Sequence, residues 1–237
     1  MRPAPAAGPC SAVSAPIPVI HQPEADTARS LSDRAYYAIR ELIVTLELPP
    51  GAVVSERDLM QRLGLGRTPV REALRDLARD RLVEVYPRRG IFVSTVDVGD
   101  IAGLSEVRLV LEPAAARLAA LRSTSADQAE TEALLAEIER TAEGGSERAL
   151  IELDQRIHRH VYAAAHNPFA EATLNEYYVL ALRIWFLALD RVTERLDTAV
   201  HEHRALLEAI RDRDPERAEE AMRVHIQSFD AEIRAVL

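Results

Sequence analysis

The chain has 237 residues, of which 29 are basic and 38 are acidic, so the formal net charge is −9. This composition is typical of a globular protein with one large or two modest domains, and the single Cys excludes both an intrachain disulfide and a cysteine-based zinc site. The longest apolar run, Val179 to Leu189, is too short to span a membrane and contains Arg183. Residues 1–29 hold 6 of the 13 prolines and lack the apolar core of a secretory signal, which predicts a disordered tail on a cytoplasmic protein.

The charge is unevenly divided along the chain. The segment from Ser30 to Asp97 contains 11 Arg and 10 acidic residues, a net of +1, so the remaining residues carry −10. Every basic residue is Arg, which suits bidentate contacts to phosphate and guanine but is equally consistent with codon bias. The acidic average therefore does not exclude a nucleic-acid-binding segment near the N-terminus.

The first elements in chain order are two short helices. Apolar residues at helical spacing precede Leu48-Pro49-Pro50-Gly51, where proline cannot continue a helix. Ser55 and Asp58 resemble a capping box that opens a second helix through Leu63, and the Gly-Leu-Gly of residues 64–66 ends it.

A third helix and a hairpin are predicted next. Thr68 is expected to be the N-cap and Pro69 the first helical residue, because proline is favoured at that position. Leu82 to Tyr86 and Ile91 to Val93 read as two strands, joined by the basic turn 87–90. The pattern predicts a helix-turn-helix followed by a wing.

The second half of the chain is predicted to be helical, since seven of the nine glycines lie at or before Gly103. Short polar connections between the helices indicate an antiparallel bundle. The predicted helices cover residues 101–122, 126–142, 147–165, 168–192, 194–212 and 215–236, the last opened by Asp214 and Pro215 as N-cap and N1.

The third helix carries a row of arginines. With Val70 at zero, 100° per residue places Leu74 and Leu77 within about 40° of it and Arg71, Arg75 and Arg79 at about 100° to 180°. This row could enter a major groove while Arg88 and Arg89 of the turn contact phosphate or the minor groove. The alternative is a solvated face on which the arginines pair with Glu72, Asp76 and Asp80.

The N-terminal part of the chain closely resembles the winged helix-turn-helix domain of GntR-family bacterial regulators. The resemblance rests on the segments at 48–51 and 55–59, on Arg-Thr-Pro-Val-Arg-Glu-Ala-Leu at 67–74 and on Arg-Gly-Ile-Phe-Val at 89–93. The resemblance implies a DNA-binding domain over residues 30–97 that contacts a pseudo-palindromic operator. The residues expected to contact DNA, from the resemblance and the arginine row, are Arg57, Arg67, Thr68, Arg71, Arg75, Arg88, Arg89 and Gly90.

Asp154 and His158 lie four residues apart on one predicted helix, so both side chains could bind one cation. The alternative is a salt bridge or hydrogen bond between them at the protein surface. His203 and His225 lie on later helices and could also point inward. His160 and His201 lie about 200° around the helix from His158 and His203 and are expected to be exposed, and His166 is expected to be a helix cap or surface residue.

The pattern Glu106-Val107-Arg108, Asp154-x3-His158, Asn167-Pro168, His203-x3-Leu207 and Met222-x2-His225 resembles the FCD effector domain of the FadR-like branch. The resemblance implies an all-helical effector and dimerisation domain over residues 98–237. It implies a divalent metal ion, Zn, Ni or Mn, held by Asp154, His158, His203 and His225, although some members of the branch lack the site. Ile157 departs from the aromatic residue usual before the first histidine, which bears on the shape of the pocket.

One carboxylate and three neutral imidazoles leave a divalent site with a net charge of +1 and open positions, which a small carboxylate effector could complete. Arg108 and, more weakly, Arg183 are the candidate effector-binding residues; for Arg108 the alternative is a salt bridge to Glu112 or Glu106. The expected protein is a homodimeric DNA-binding regulator, which in most of the family is a repressor. Rotation at Asp97 to Asp100 is expected to couple effector binding to the affinity for operator DNA. The alternatives are a metal-responsive regulator without an organic effector and a metal-dependent enzyme, which the absence of any other catalytic motif disfavours.

Overall fold

The computed structural model describes residues 30–142, 147–188 and 196–236. The predicted tail, residues 1–29, lies outside them. The helices are α1 Leu31–Val44, α2 Glu56–Leu63, α3 Arg67–Arg79, α4 Val98–Arg122, α5 Ser125–Ala142, α6 Glu147–Ala164, α7 Pro168–Ala188, α8 Leu196–Arg211 and α9 Pro215–Val236, and the strands are β1 Val53–Val54, β2 Val83–Tyr86 and β3 Gly90–Val93. The fold is mainly α, as predicted, with a winged helix-turn-helix before an all-helical bundle. None of the described helices is long and apolar enough to cross a membrane.

The wing is a three-stranded antiparallel sheet in the order β1-β3-β2. Val83 pairs with Val93 and Tyr86 with Gly90, while Val53 of β1 pairs with Phe92 on the other side of β3. The sequence did not predict β1, because two residues are too few to show an alternating pattern.

Two predicted helix starts are wrong. The predicted N-cap Thr68 lies inside α3, because Gly66 is the extended N-cap residue and the chain enters the helix at Arg67. Helix α4 begins three residues before the predicted position 101, since Asp97 and Asp100 each accept the other's backbone N–H in a capping box. Asp97 to Asp100, the segment at which rotation is expected, therefore form the capped first turn of α4. Residues 189–192 and 194–195 of two predicted helices lie outside the described residues.

The helical domain packs around α4, which contacts α6, α7, α8 and α9. Helix α1 of the winged domain packs against α7, and buried side chains of both domains belong to one continuous cluster. Ile157 is fully buried in a separate cluster with Leu134, Ile138, Leu153 and Leu207, so its side chain stabilises the contact of α6 with α5 and α8.

Candidate metal centre and nucleic-acid interface

Four potential metal ligands converge inside the bundle. Asp154 and His158 lie on α6, His203 lies on α8 and His225 lies on α9, and all four are buried. One ligand atom from each residue can be chosen so that all four lie within 4.8 Å of one another. The ligand set implied by the resemblance is thus assembled from three helices.

The spacing of these atoms suits a shared cation. The Nε2 atoms of His158 and His225 are 3.1 Å apart. Oδ1 of Asp154 lies 3.3 Å from Nε2 of His203 and 3.7 Å from Nε2 of His158. Nitrogen ligands about 2.0–2.1 Å from a metal ion lie about 3.0–3.4 Å from one another, so most of these separations match a common coordination sphere.

Side chains outside the cluster lie against Nδ1 of two of the imidazoles. Nδ1 of His158 lies 3.1 Å from Oε2 of Glu112 and 3.1 Å from the hydroxyl oxygen of Tyr162. Nδ1 of His225 lies 3.0 Å from Oε2 of Glu202. With hydrogen on Nδ1, each imidazole would direct that N–H toward its neighbouring carboxylate and turn the lone pair of Nε2 inward.

The donor set fits a divalent metal ion. When both rings carry hydrogen on Nδ1, the Nε2 lone pairs of His158 and His225, 3.1 Å apart, both face the position that a shared cation would occupy. Nε2 of His203 is buried and makes no hydrogen bond within the described part of the chain. Burial, together with the neighbouring His225 and His158, lowers the pKa of His203 well below its usual value and favours the neutral ligand form. Three imidazoles and one carboxylate are ligands typical of zinc, nickel or manganese.

Arg108 and Glu112 form a buried ion pair beside the cluster. Nε of Arg108 donates to Oε1 of Glu112, and both side chains are at most 3% exposed. Burial alone would raise the pKa of Glu112, but the charge of the adjacent Arg108 outweighs it and holds the pKa well below its usual range. The salt bridge considered as an alternative for Arg108 is therefore present, and Arg108 also faces the cleft described next.

A cleft opens beside the four ligands, between α4, α7, α8 and α9. The buried residues Arg108, Asp154, His158 and His225 line its inner end. The hydroxyl of Tyr178, also in its wall, donates to Oδ2 of Asp154. A ligand in this cleft would lie against the candidate metal centre.

The structure does not bring Arg183 to this cleft. Its guanidinium donates Nη1 to Oγ of Ser94 at 2.8 Å, just after β3, and donates Nη2 to the carbonyl of the same residue. The side chain lines a different cavity, at the junction of the winged and helical domains, together with Asp97 and Asp100.

The other histidines serve local structure. His160 is half-buried instead of exposed, and its Nε2 lies 2.7 Å from Oγ1 of Thr131, because the opposite side of α6 faces α5 and not solvent. His201 is exposed as predicted. His166 lies at the end of α6, half-exposed and 2.8 Å from Oδ2 of Asp127, as expected for a surface residue.

The arginines of α3 form an exposed row beside its buried face. Val70, Leu74 and Leu77 are buried, whereas Arg71, Arg75 and Arg79 are exposed. The row is partly paired within the protein, since Nε of Arg71 lies 2.9 Å from both oxygens of Glu56 and Arg79 pairs with Asp76. Arg57, Arg67 and Thr68 are exposed at the adjoining starts of α2 and α3.

The turn of the wing is exposed and sharply bent. Gly90 has φ +112°, a conformation in which a side chain would be strained, and Arg88 has φ 65°. The guanidinium carbon of Arg89 lies 5.6 Å from the ring centre of Tyr86. The turn therefore presents two arginines to solvent at the edge of the winged domain.

Residues missed by sequence reasoning surround the metal ligands. Tyr162 lies one helical turn after His158, which could have suggested contact. Tyr178 and Glu202 come from other helices and are separated from their partners by 24 and 23 residues, so no local spacing points to them.

Comparison with known proteins matches each half of the chain to a protein family. Residues 31–93 match the family described as "Bacterial regulatory proteins, gntR family", and residues 103–228 match the family described as "FCD domain". A probable D-xylose utilization operon transcriptional repressor of Paenarthrobacter nicotinovorans is 32% identical over 77% of this chain and 79% of its own length. The galactonate operon transcriptional repressor of Escherichia coli is 29% identical over 86% of this chain and 97% of its own.

Solved structures share the fold. E. coli McbR/YncC is 22% identical to this chain and superposes on it with a TM-score of 0.77. The match covers 87% of this chain and 98% of the length of McbR/YncC. A putative transcriptional regulator GntR from Rhodococcus sp. RHA1 gives a TM-score of 0.72 at 21% identity over 87% of this chain and 98% of its own. The chain is a DNA-binding transcriptional regulator and belongs to the GntR family, with an FCD domain after its winged helix-turn-helix.

Proposed function

We propose that this protein is a homodimeric repressor whose affinity for operator DNA changes when a small carboxylate binds beside a divalent metal ion in the FCD domain. The observation that carries the proposal is the convergence of four candidate ligands, of which Asp154, His158 and His225 line a cleft together with Arg108. A divalent ion there would leave a net positive site with room for an anion. Repression is supported by the D-xylose and galactonate relatives, which are both described as operon repressors.

The DNA-binding half of the proposal rests on α3 and the wing. Exposed Arg67, Arg71 and Arg75 follow one another along the solvent side of α3, whose N-terminal end also carries the positive end of the helix dipole. Arg88 and Arg89 extend the basic surface to one side. In a dimer the two α3 helices must lie about 34 Å apart to reach successive major grooves.

Homodimer formation is supported by apolar side chains left exposed on the helical domain. Val110 and Leu121 lie on the same side of α4 and are 70% and 54% exposed, and Phe169 at the start of α7 is 84% exposed. Exposed apolar residues on adjoining helices favour contact with a second copy of the chain. Sedimentation of the purified protein would test this, and a monomer at micromolar concentration would contradict it.

The metal-dependent half is tested with His203→Ala and with His201→Ala as its matched control on the same helix. We expect His203→Ala to lose bound metal and the response to carboxylates, while DNA binding by the metal-free form persists. His201→Ala should behave as the unmodified protein, since His201 is exposed and outside the cluster. Unchanged metal content in His203→Ala would refute the ligand assignment.

The same measurements separate the alternatives. If metal alone changes DNA affinity and no carboxylate adds to the change, the protein is a metal-responsive regulator. Chemical conversion of a bound carboxylate by the metal-loaded protein would favour an enzyme. Under the proposal, carboxylates are bound and released unchanged.

A further inference from the structure

A second cavity lies at the junction of the winged and helical domains. Its volume is about 760 Å³, and sites for small molecules usually enclose about 300–1,000 Å³. Its walls come from α3 and β2 of the winged domain, from residues 94–97 that connect the two domains, and from α4 and α7. Among the described residues that line it, none is a candidate metal ligand. The junction cavity is therefore a separate place at which a ligand can contact both domains.

Arg183 is a buried cation in the wall of this junction cavity. A guanidinium has five N–H donors, and two of those of Arg183 are bonded to Ser94. Its Nε is buried and makes no hydrogen bond with any residue that the structure describes. An anionic oxygen that accepts from a buried guanidinium forms a short, strong hydrogen bond. The residue is thus suited to anchor the anionic group of a ligand.

The winged domain contributes a second arginine to the same cavity. Arg81 lies between α3 and β2, and its side chain is exposed. The hydroxyl of Ser94 donates to the backbone carbonyl of Arg81 and accepts from Nη1 of Arg183. Ser94 therefore connects the two arginines, and the cavity offers an anion one guanidinium from each domain.

Three carboxylates also line the cavity, and each has a local partner. Asp97 and Asp100 accept backbone N–H groups at the start of α4, where the positive end of the helix dipole opposes their charge. Glu84 accepts a hydrogen bond from the hydroxyl of Tyr86. Burial lowers the pKa of Arg183 to about 10 despite the opposing charge of Asp100, so its guanidinium is charged at neutral pH and only partly balanced.

The helical side of the cavity is largely apolar. Leu104 and Val107 lie about one turn apart on α4, and Leu180 and Ile184 lie one turn apart on α7. The first three are only half-buried, so a ligand that covers them removes apolar surface from water, which is favourable. The cavity therefore suits a molecule with an anionic group at one end and an apolar body at the other.

We infer that the junction cavity is a second regulatory site, which binds a small organic anion through a phosphate or carboxylate group held by Arg183 and Arg81. The site does not depend on the metal centre, so this inference is independent of the carboxylate effector proposed above. A ligand that touches both domains favours the orientation in which its two walls meet. Its binding therefore changes the affinity for DNA.

The binding test uses full-length protein that a chelator has freed of metal. Phenyl phosphate and benzoate are the probes, with inorganic phosphate and acetate as their counterparts without an apolar body, and binding is measured by isothermal titration calorimetry. We expect one of the two larger probes to bind at one site per chain with a Kd of about 1 mM or below. It should bind about tenfold more tightly than its small counterpart. The tighter of the two identifies the anionic group.

Variants locate the site. Arg183→Met and Arg81→Gln should each weaken binding of that probe about tenfold or more, because each removes one guanidinium. Arg81 is exposed, so Arg81→Gln keeps the fold and remains a test even if Arg183→Met unfolds. Arg75→Gln, on the exposed side of α3, and His203→Ala, in the metal cluster, are the controls and should leave the affinity unchanged.

The outcomes that would overturn the inference are specific. They are the failure of all four probes to bind at about 10 mM, and an affinity that Arg183→Met and Arg81→Gln leave unchanged. A loss of binding in Arg75→Gln would place the anion on α3, and a loss in His203→Ala would place it at the metal cluster. Because these measurements use metal-free protein, none of these results decides the metal-dependent function.

The regulatory role is measured by fluorescence anisotropy on DNA selected from a random pool. The metal-free protein is titrated with and without a saturating concentration of the bound probe. We expect the DNA affinity to change by about fivefold or more, and the change to disappear in Arg183→Met. Equal DNA affinity with and without the probe in the unmodified protein would overturn the regulatory role.

Discussion

Arg183, in the middle of the FCD domain, is bound to Ser94, the residue that follows the last strand of the wing, through two hydrogen bonds from its guanidinium. The side chain is 1% exposed, and burial lowers its pKa to about 10. Its Nε has no hydrogen-bond partner among the described residues. A buried cation held by a neutral partner adds little stability, so the contact is better suited to fixing the orientation of the winged domain on α7.

Helix α7 links this contact to the candidate effector site. Tyr178, five residues before Arg183 and about 140° around the helix, donates to the metal-ligand candidate Asp154, and Leu182 lines the cleft. A ligand that shifts α7 would move Ser94 through Arg183. The contact therefore connects the effector site physically to the winged domain, so that events at either site can shift the position of α7.

We therefore expect Arg183→Met to reduce the effect of metal and carboxylate on DNA affinity. Allosteric coupling is typically about 1–3 kcal/mol, which changes affinity about 5- to 150-fold. In the variant, the ratio of DNA affinities measured with and without ligand should fall most of the way to one. Metal binding itself should be unchanged. The check is fluorescence anisotropy on DNA selected from a random pool by the unmodified protein, measured with and without ligand.

Thermal unfolding completes this test. The variant removes a buried charge that has no hydrogen-bonded carboxylate partner among the residues the structure describes, so we expect no loss of stability. Arg117→Gln, which disrupts a partly exposed ion pair between α4 and Glu216 of α9, serves as the control and should keep full coupling. Full coupling in Arg183→Met would rule out the proposed connection.

The carboxylates behind the imidazoles provide a second prediction. Glu202→Gln should weaken metal affinity about 10- to 100-fold, because Glu202 orients His225 from outside the ligand set. Glu112→Gln should do the same at His158 and also destabilise the fold by about 3–5 kcal/mol, since it leaves the buried charge of Arg108 unpaired.

The two effects are measured separately, by metal titration and by urea unfolding. Glu137→Gln, which breaks an exposed ion pair with Arg156 on the far side of α6, is the control and should change neither quantity appreciably. Unchanged metal affinity in Glu202→Gln would mean that the carboxylate does not support the site.

Sequence periodicity predicted the helices well, because their apolar stripes repeat locally, and it placed Asp154 and His158 on one face of α6. Local spacing could not bring His203 and His225 to the same point, since that depends on how α6, α8 and α9 cross; the family resemblance supplied those ligands. The sequence marked Arg183 as a charge in an apolar run but not its partner Ser94, 89 residues away. For His160, helical geometry gave the correct side of α6 but not its neighbour, Thr131.

Helix α3 gives a third prediction. Arg71→Ala should weaken binding to selected DNA by about 1–3 kcal/mol and weaken binding to random DNA much less, if its guanidinium contacts a base edge. Arg71 is exposed and pairs with Glu56 in the protein alone, so it would exchange that partner for the base. Equal weakening on both DNAs would identify a phosphate contact instead. Arg156→Ala, exposed on α6, is the control.

The wing gives the last prediction, which concerns salt. Arg89 is exposed at the turn and rests beside the ring of Tyr86, a position from which it could reach the phosphate backbone without reading a base. Arg89→Ala should then weaken binding to all DNA sequences by a similar factor and lower the slope of log affinity against log salt by about 1. The measurement is a series of anisotropy titrations at increasing salt on selected and random DNA. A loss confined to the selected sequence, with an unchanged slope, would instead place Arg89 at a base edge, and no loss on either DNA would remove the wing from the interface.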